Sequence, residues 1–426
     1  MDSPSESPSG RLRSSVRESH ERLDRSDYAA AVTSGRLTLP RYTSFLRALY
    51  VLHDGLEQLL EHSGSPVLRA AFAESPARRE RLERDLAYLQ ADKYAVDGAA
   101  LQALVLVQQL RQRTRSPHGQ SCLLGAIYVV EGSQLGGLAQ ARALARHPEL
   151  ERGGLAYLQG AGAGTSKQLR DLFQLLDEHL QDDAELAAAI EGATNTFSGF
   201  EAILTTVMAG AERLAESLNF AAGTHPVPRD LREVEAALRA GEQARSELSY
   251  YERRYGERGR RFTRSDSAWL VTLSRVPEDE ALQQVGWLAR LLAARGMPRL
   301  LLERHLLTLH ARLVAELPGS AAKYEILQRA AELLARERRA LLSDTRFEAL
   351  CAELESACQL QPGGATPPIP LREVGLLLAG AVVDEACAVP HAVESLCRWL
   401  TDSSRASLEF RAAVDHVVRT ARSALA

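Results

Sequence analysis

The sequence predicts an all-α protein built as two consecutive helical domains. Three observations carry this. Apolar residues recur at helical spacing along most of the chain. The apolar content is mostly Ala, Leu and Val, with aromatics only 5%; Ala and Leu are strong helix formers. No alternating strand pattern runs longer than a few residues. The length, 426 residues, exceeds what one hydrophobic core supports, since single cores stop growing near ~250–300 residues. Two domains of about 200 residues each follow.

In chain order, residues 1–10, MDSPSESPSG, are polar and read as a disordered tail. A first domain, 11–222, opens with a helix whose Leu12, Val16, Ser19, His20 and Leu23 fall on or beside one face. A second helix runs from Tyr42 to Leu60 behind Leu37-Thr38-Leu39-Pro40, with Thr38 or Leu39 at its cap and Pro40 in its first turn. Further helical segments are Leu82–Leu89, Ala99–Arg111, Gln120–Ala145, Lys167–Leu180 and Glu185–Leu218. Residues 223–229, with Gly223, Pro226 and Pro228, stop the helix and read as a linker. A second helical domain, 230–426, has one internal break at Gln361–Pro368, read as an exposed loop.

Composition excludes several function classes. The net charge of −4 gives no basic field for nucleic acid. No uninterrupted apolar run reaches the ~18 residues of a membrane span, and the polar start shows no apolar signal segment. Five cysteines without a CxxC pair or zinc spacing fit reduced thiols, so a cytoplasmic protein is expected.

Two segments carry chemistry. His20 is the lone histidine of the first helix, where a neutral imidazole can bind iron; the plainer reading is a partly solvated helix-face histidine. The segment Gly125–Gly137 is an apolar helix interrupted by Gly132, Gly136 and Gly137. Each glycine costs about 1 kcal/mol against Ala inside a helix. Gly132 and Gly136 are four apart, so they share a face and bare a strip of backbone to something flat, or to a neighbouring helix.

Together these segments resemble the haem oxygenase family, and within it the bacterial branch that supplies biliverdin. The resemblance spans about residues 10–220. It rests on Arg13, His20 and Asp24; on Leu39, Tyr42, Leu46, Tyr50 and Glu57; on Glu131-Gly132-Ser133-Gln134-Leu135-Gly136-Gly137; and on Ala193–Phe197. It implies that His20 is the proximal iron ligand and that Asp24, where the family more often has Glu, orients its ring. It implies that Arg13 pairs a haem propionate, that Gly132 and Gly136 let the distal helix lie on the haem face, and that Gly137 helps it kink. Ser133 stands where the mammalian branch holds a water with Asp, and Leu169 where the family often has Trp. The implied reaction opens haem, both substrate and cofactor, to biliverdin with release of CO and ferrous iron, using O2. No Rossmann or flavin motif is present, so electrons come from an external ferredoxin- or reductase-type donor. The alternatives are a non-enzymatic haem- or bilin-binding sensor, or a helical scaffold that shares only the fold.

Residues 229–426 resemble no family. Tyr250–Leu270 interleaves aromatics with arginines, a pattern suited to an anionic ligand or nucleic acid. Its simpler reading is a helix end, a glycine turn and a helix capped at Ser265. His305 and His310 point roughly 140° apart around one helix, poor for a shared metal. Trp269, Trp287 and Trp399 read as core anchors. The domain is open to docking a redox partner, forming an oligomer or accepting the bilin.

Overall fold

The structure, a computed structural model, describes residues 7–73, 75–160, 164–210, 214–222, 225–359 and 367–425. Parts of the predicted tail (1–6), of the glycine-rich segment (161–163), of the linker (223–224) and of the 361–368 loop (361–366) lie outside them. Among the described residues the protein is helical, and its only strand-like feature is an isolated bridge between Ala95 and Asp230. The chain divides into two compact units: Met1–Thr224 with Arg229–Leu231, and His225–Pro228 with Arg232–Ala426.

The first unit contains α1 (Pro8–Ser15), α2 (Arg17–Asp24), α3 (Asp27–Thr33), α4 (Leu39–Ser63), α5 (Pro66–Ala71), α6 (Ser75–Tyr88), α7 (Gly98–Arg113), α8 (Gly119–Gly132), α9 (Gln134–Leu144), α10 (Ala156–Gln159), α11 (Thr165–His179), α12 (Asp183–Ala209) and α13 (Leu214–Leu218). Helix α1 begins inside the predicted tail. Ser7 caps it by accepting from the Gly10 N–H, Pro8 opens its first turn, and the Ser9 N–H donates to Asp177 at 2.7 Å. The single predicted first helix is two, because Val16 leaves helical geometry (φ −104°, ψ 6°). Side-chain caps at Ser26, Ser65, Asp97 and Asp182 start α3, α5, α7 and α12, each worth about 1 kcal/mol. The long helix α12 stops at Gly210, whose positive φ (76°) favours glycine, before α13.

The core is the face α4 shares with α7 and α12, and the crossing of α8 with α12. That crossing is backbone on backbone: a Cβ on Gly125 would run into the Ala189 carbonyl, and one on Gly192 into the Cys122 carbonyl. The stretch Gly119–Leu144, though interrupted by polar residues such as Glu131 and Gln134, is long and apolar enough to cross a membrane by length and composition. Of its most apolar window, 61% is buried inside the unit, as in a soluble core helix.

The second unit contains α14 (Leu231–Glu247), α15 (Ser249–Thr272), α16 (Glu278–Ala294), α17 (Arg299–Glu316), α18 (Glu325–Leu341), α19 (Asp344–Gln359), α20 (Leu371–Ala386), α21 (Ala392–Leu400) and α22 (Leu408–Leu425). Its apolar residues gather in two main clusters. One centres on α20–α22, with Tyr250, Leu301 and Trp399; the other on α14, α16, α17 and α18, with Trp269 and Leu306. Trp269 and Trp399 are core anchors as predicted. Trp287 is not: it is 56% exposed, because α16 buries the stripe Ala281, Val285, Leu288 and Ala289 and turns Trp287 away. The predicted helix start at Ser265 is also absent, although helical geometry does break at a glycine of that segment. Helix α15 continues through it, and Ser265 is buried, its hydroxyl facing the Phe262 carbonyl of its own helix at 3.0 Å. The kink falls instead at Gly256 (φ 48°).

Candidate active site

His20 sits on α2, and α2 packs on α12. The imidazole lies edge-on to Phe197 of α12, ring centres 6.1 Å apart. Its side chain is 64% exposed, and Nδ1 lies 3.1 Å from Asp24 Oδ2, one turn on. The shorter Asp does reach the ring. A Nδ1–H given to this carboxylate leaves the Nε2 lone pair turned elsewhere, the arrangement a metal-binding histidine needs. Asp24 itself is exposed.

The glycine segment crosses the break between α8 and α9. The interruption falls at Ser133, not at Gly137, and it is subtle: Ser133 keeps right-handed helical angles (φ −61°, ψ −23°). The Gly136 N–H reaches the Ser133 carbonyl at 3.2 Å, a tightened turn. The three glycines then part company. A Cβ on Gly132 would meet nothing within 4 Å, and one on Gly136 only the Gln140 amide nitrogen at 4.0 Å. A Cβ on Gly137 would lie 2.8 Å from the Leu158 carbonyl, so this glycine serves close packing on α10. The α8–α9 junction therefore bares backbone to open space at two positions.

Arg13, on α1, is exposed and acts electrostatically on Tyr128 of α8, whose phenol pKa is raised, chiefly by burial. Tyr128 in turn sits 6.1 Å from the Phe173 ring of α11. Helices α2 and α8 both rest on α12 and make their main packing there, not on each other.

Sequence reasoning missed what lies beneath the glycines. Glu131 pairs with Arg78 of α6 through both guanidinium nitrogens, and both side chains are almost wholly buried. Gln134 Nε2 donates to the Tyr157 phenol at 2.9 Å; His53 Nε2 lies 3.1 Å from the same oxygen, and Ser133 also hydrogen-bonds it. Asp85 accepts from the Ala156 and Tyr157 N–H groups, at 2.8 Å each. Burial pushes the Tyr157 phenol up to about 12 and the His53 imidazole down to about 3, so both are neutral near pH 7. This network fixes the residues flanking Gly132 and Ser133. Its only local signal was Glu131 and Gln134 standing in an apolar helix; their partners come from distant segments.

These residues fit a flat, iron-bearing ligand. The oriented imidazole of His20 would offer Nε2 to the iron, the two Cβ-free positions would allow close approach, and Arg13 could meet a carboxylate. Among the described residues no cluster of three metal-ligating side chains exists, so iron held here would depend on its own macrocycle for its other ligands.

Residues 7–206 match the family model described as heme oxygenase. The structure of a heme oxygenase from Leptospira interrogans is similar over 47% of this chain and 98% of its own, at 19% identity and a TM-score of 0.40. No curated protein matches the chain. The family that residues 7–206 match, over just under half of the chain, is thus heme oxygenase.

Proposed function

We propose that this protein opens haem to biliverdin, releasing CO and ferrous iron, with O2 and electrons from a separate ferredoxin- or reductase-type donor. The observation that carries this reading is the pairing of an oriented His20 on α2 with a bare Gly132–Gly136 strip at the end of α8, both helices resting on α12. Haem is the substrate and supplies the iron at which oxygen is reduced. The chain's own residues do the rest. His20 Nε2 holds the iron, and Asp24 keeps the ring turned and its Nδ1 protonated. A neutral histidine donates less electron density than a thiolate, which would favour O–O cleavage. Gly132 and Gly136 present backbone in place of side chains, so nothing competes for the open face. Ser133 donates its hydroxyl proton to the Val130 carbonyl at 2.7 Å and also hydrogen-bonds the Tyr157 phenol, which leaves one lone pair to accept from a water. Arg13 pairs a propionate.

The test is a haem titration of purified protein, followed by ascorbate or a reductase, watched by visible absorption. A Soret band that His20→Ala shifts or weakens, and that fades as a bilin band grows, supports the enzyme. A stable Soret band with no bilin replaces it with a haem-binding sensor, and no Soret band overturns both.

A further inference from the structure

The second unit holds a cavity of about 470 Å³, open to solvent on one side and within the range of small-molecule sites. It lies where the two apolar clusters fail to merge: Leu270, Leu288 and Leu302 come from one, Leu301, Tyr251 and Met297 from the other. The walls are therefore mostly apolar, but the charge is one-sided. Arg245, Arg254, Arg258 and Arg295 line it against a single carboxylate, Asp266. Burial pushes Asp266 up to about 6, so this lone acid opposes an anion less than an ordinary one would. The Gly256 kink matters here: it bends α15 so that Arg245 Nη2 reaches both Glu252 at 2.8 Å and the Gly256 carbonyl at 3.3 Å.

Two lining side chains are more than nine-tenths buried and still carry a nitrogen that, among the described residues, has no hydrogen-bond partner. They are Arg245, through Nη1, and His305, through Nδ1. Buried donors are paired as a rule, so two such groups on one cavity point to a ligand. His305 Nε2 lies 2.9 Å from Ser267 Oγ, a spacing that resembles a nucleophile and its base. Yet no carboxylate orients Nδ1, Ser267 is only 1% exposed, and burial lowers the imidazole to about 4. That makes it a weak base and a neutral hydrogen-bonding group, suited to holding and not to acyl transfer.

We propose that this cavity binds an apolar organic acid, its carboxylate on Arg245 and its hydrocarbon or aromatic body between the leucines and Tyr251. A guanidinium N–H is the strong partner for a carboxylate, and His305 offers the second hydrogen bond. Arg258, exposed at the mouth with its guanidinium 5.8 Å from the Phe262 ring centre, draws the acid in. The interleaved arginines and aromatics of Tyr250–Leu270 then serve an anionic ligand.

Such an acid has two sources, a fatty acid or the tetrapyrrole product proposed above, and calorimetric titration of the full chain with dodecanoate and with biliverdin separates them. At least one probe should bind. Arg245→Met should weaken it about tenfold or more, and Arg258→Met severalfold, while both variants keep the wild-type haem Soret band. The unchanged Soret band places the effect in the second unit, and Arg258, being exposed, guards against a folding defect in the Arg245 variant. Failure of both probes to bind, or wild-type affinity in both variants, overturns the proposal.

Discussion

His20 in the first unit and His305 in the second are the histidines assigned a ligand, and the two are held in opposite ways. His20 is exposed and its Nδ1 faces a carboxylate. His305 is buried and its Nε2 faces a hydroxyl, with no charged partner on the ring. A carboxylate behind an imidazole makes the far nitrogen a better electron donor, which suits a metal. Burial with only a hydroxyl keeps the ring neutral and fixed, which suits hydrogen bonding. The residue type is the same; the second partner and the water around it set what it can do.

The most severe way to break this comparison is His20→Ala. It should cut haem conversion by a hundredfold or more while leaving far-ultraviolet circular dichroism intact, because an exposed side chain on α2 supports little packing. Turnover near wild type would remove His20 from the chemistry. Next come the glycines. Gly192→Val should destabilise the first unit by about 3 kcal/mol or more, since overpacking costs ~1–3 kcal/mol where neighbours can shift and here the obstacle is backbone. Gly132→Ala, facing open space, should change stability by no more than about 1 kcal/mol and in the stabilising direction, while weakening haem binding. Thermal melts beside haem titrations check both, and equal melting losses would erase the distinction between packing and ligand-facing glycines.

A smaller effect is expected from Asp24→Asn, about tenfold in haem affinity or turnover, the usual scale for a group that orients a ligating histidine. An unchanged Soret band and rate would mean that the ring orients itself. The second unit's histidine is tested by a pH dependence of stability. His305 falls from its ordinary 6.5 to about 4, so the unfolded chain binds its proton first. Its contribution to stability is complete above about pH 6.5 and is lost as pH falls toward 4. Asp266, raised to about 6, works oppositely in the acid range, gaining stability as pH falls. The difference between wild type and His305→Asn isolates the histidine. It should shrink by about 2 kcal/mol between pH 7 and pH 5, from ~1.4 kcal/mol per pH unit below 6.5. A flat difference in urea melts would sink the assignment.

Much of the helical layout was legible because it depends on local pattern. The stripe Tyr42, Phe45, Leu49, Leu52, Leu56 and Leu59 is buried as its spacing demands. The site was legible where short spacing carries it, as in His20 with Asp24, one turn apart. What could not be read needed a partner far along the chain. Gly125 and Gly192 look like ordinary helix glycines until their backbones meet. Glu131 and Gln134 look like stray polar residues until Arg78 and Tyr157 arrive. The break at Ser133 was hidden because its backbone angles stay helical, so neither proline nor a left-handed residue marks it. Ser265 misled because a serine with acids and arginines around it resembles a cap, whereas its hydroxyl turns back on its own helix.

Helix α12 has a consequence for how the geometry of the proposed haem site is inherited. Gly192, where α8 crosses, and Phe197, against which His20 rests, are five residues apart on one rod. That is about 7.5 Å of helical rise. The relative placement of the two walls is therefore written into a single run of covalent bonds and backbone hydrogen bonds, not negotiated between loops. Loops elsewhere in the unit can lengthen or drift without altering this gauge, whereas one residue inserted between Gly192 and Phe197 would rotate the wall by about 100° and put the two halves of the site out of phase.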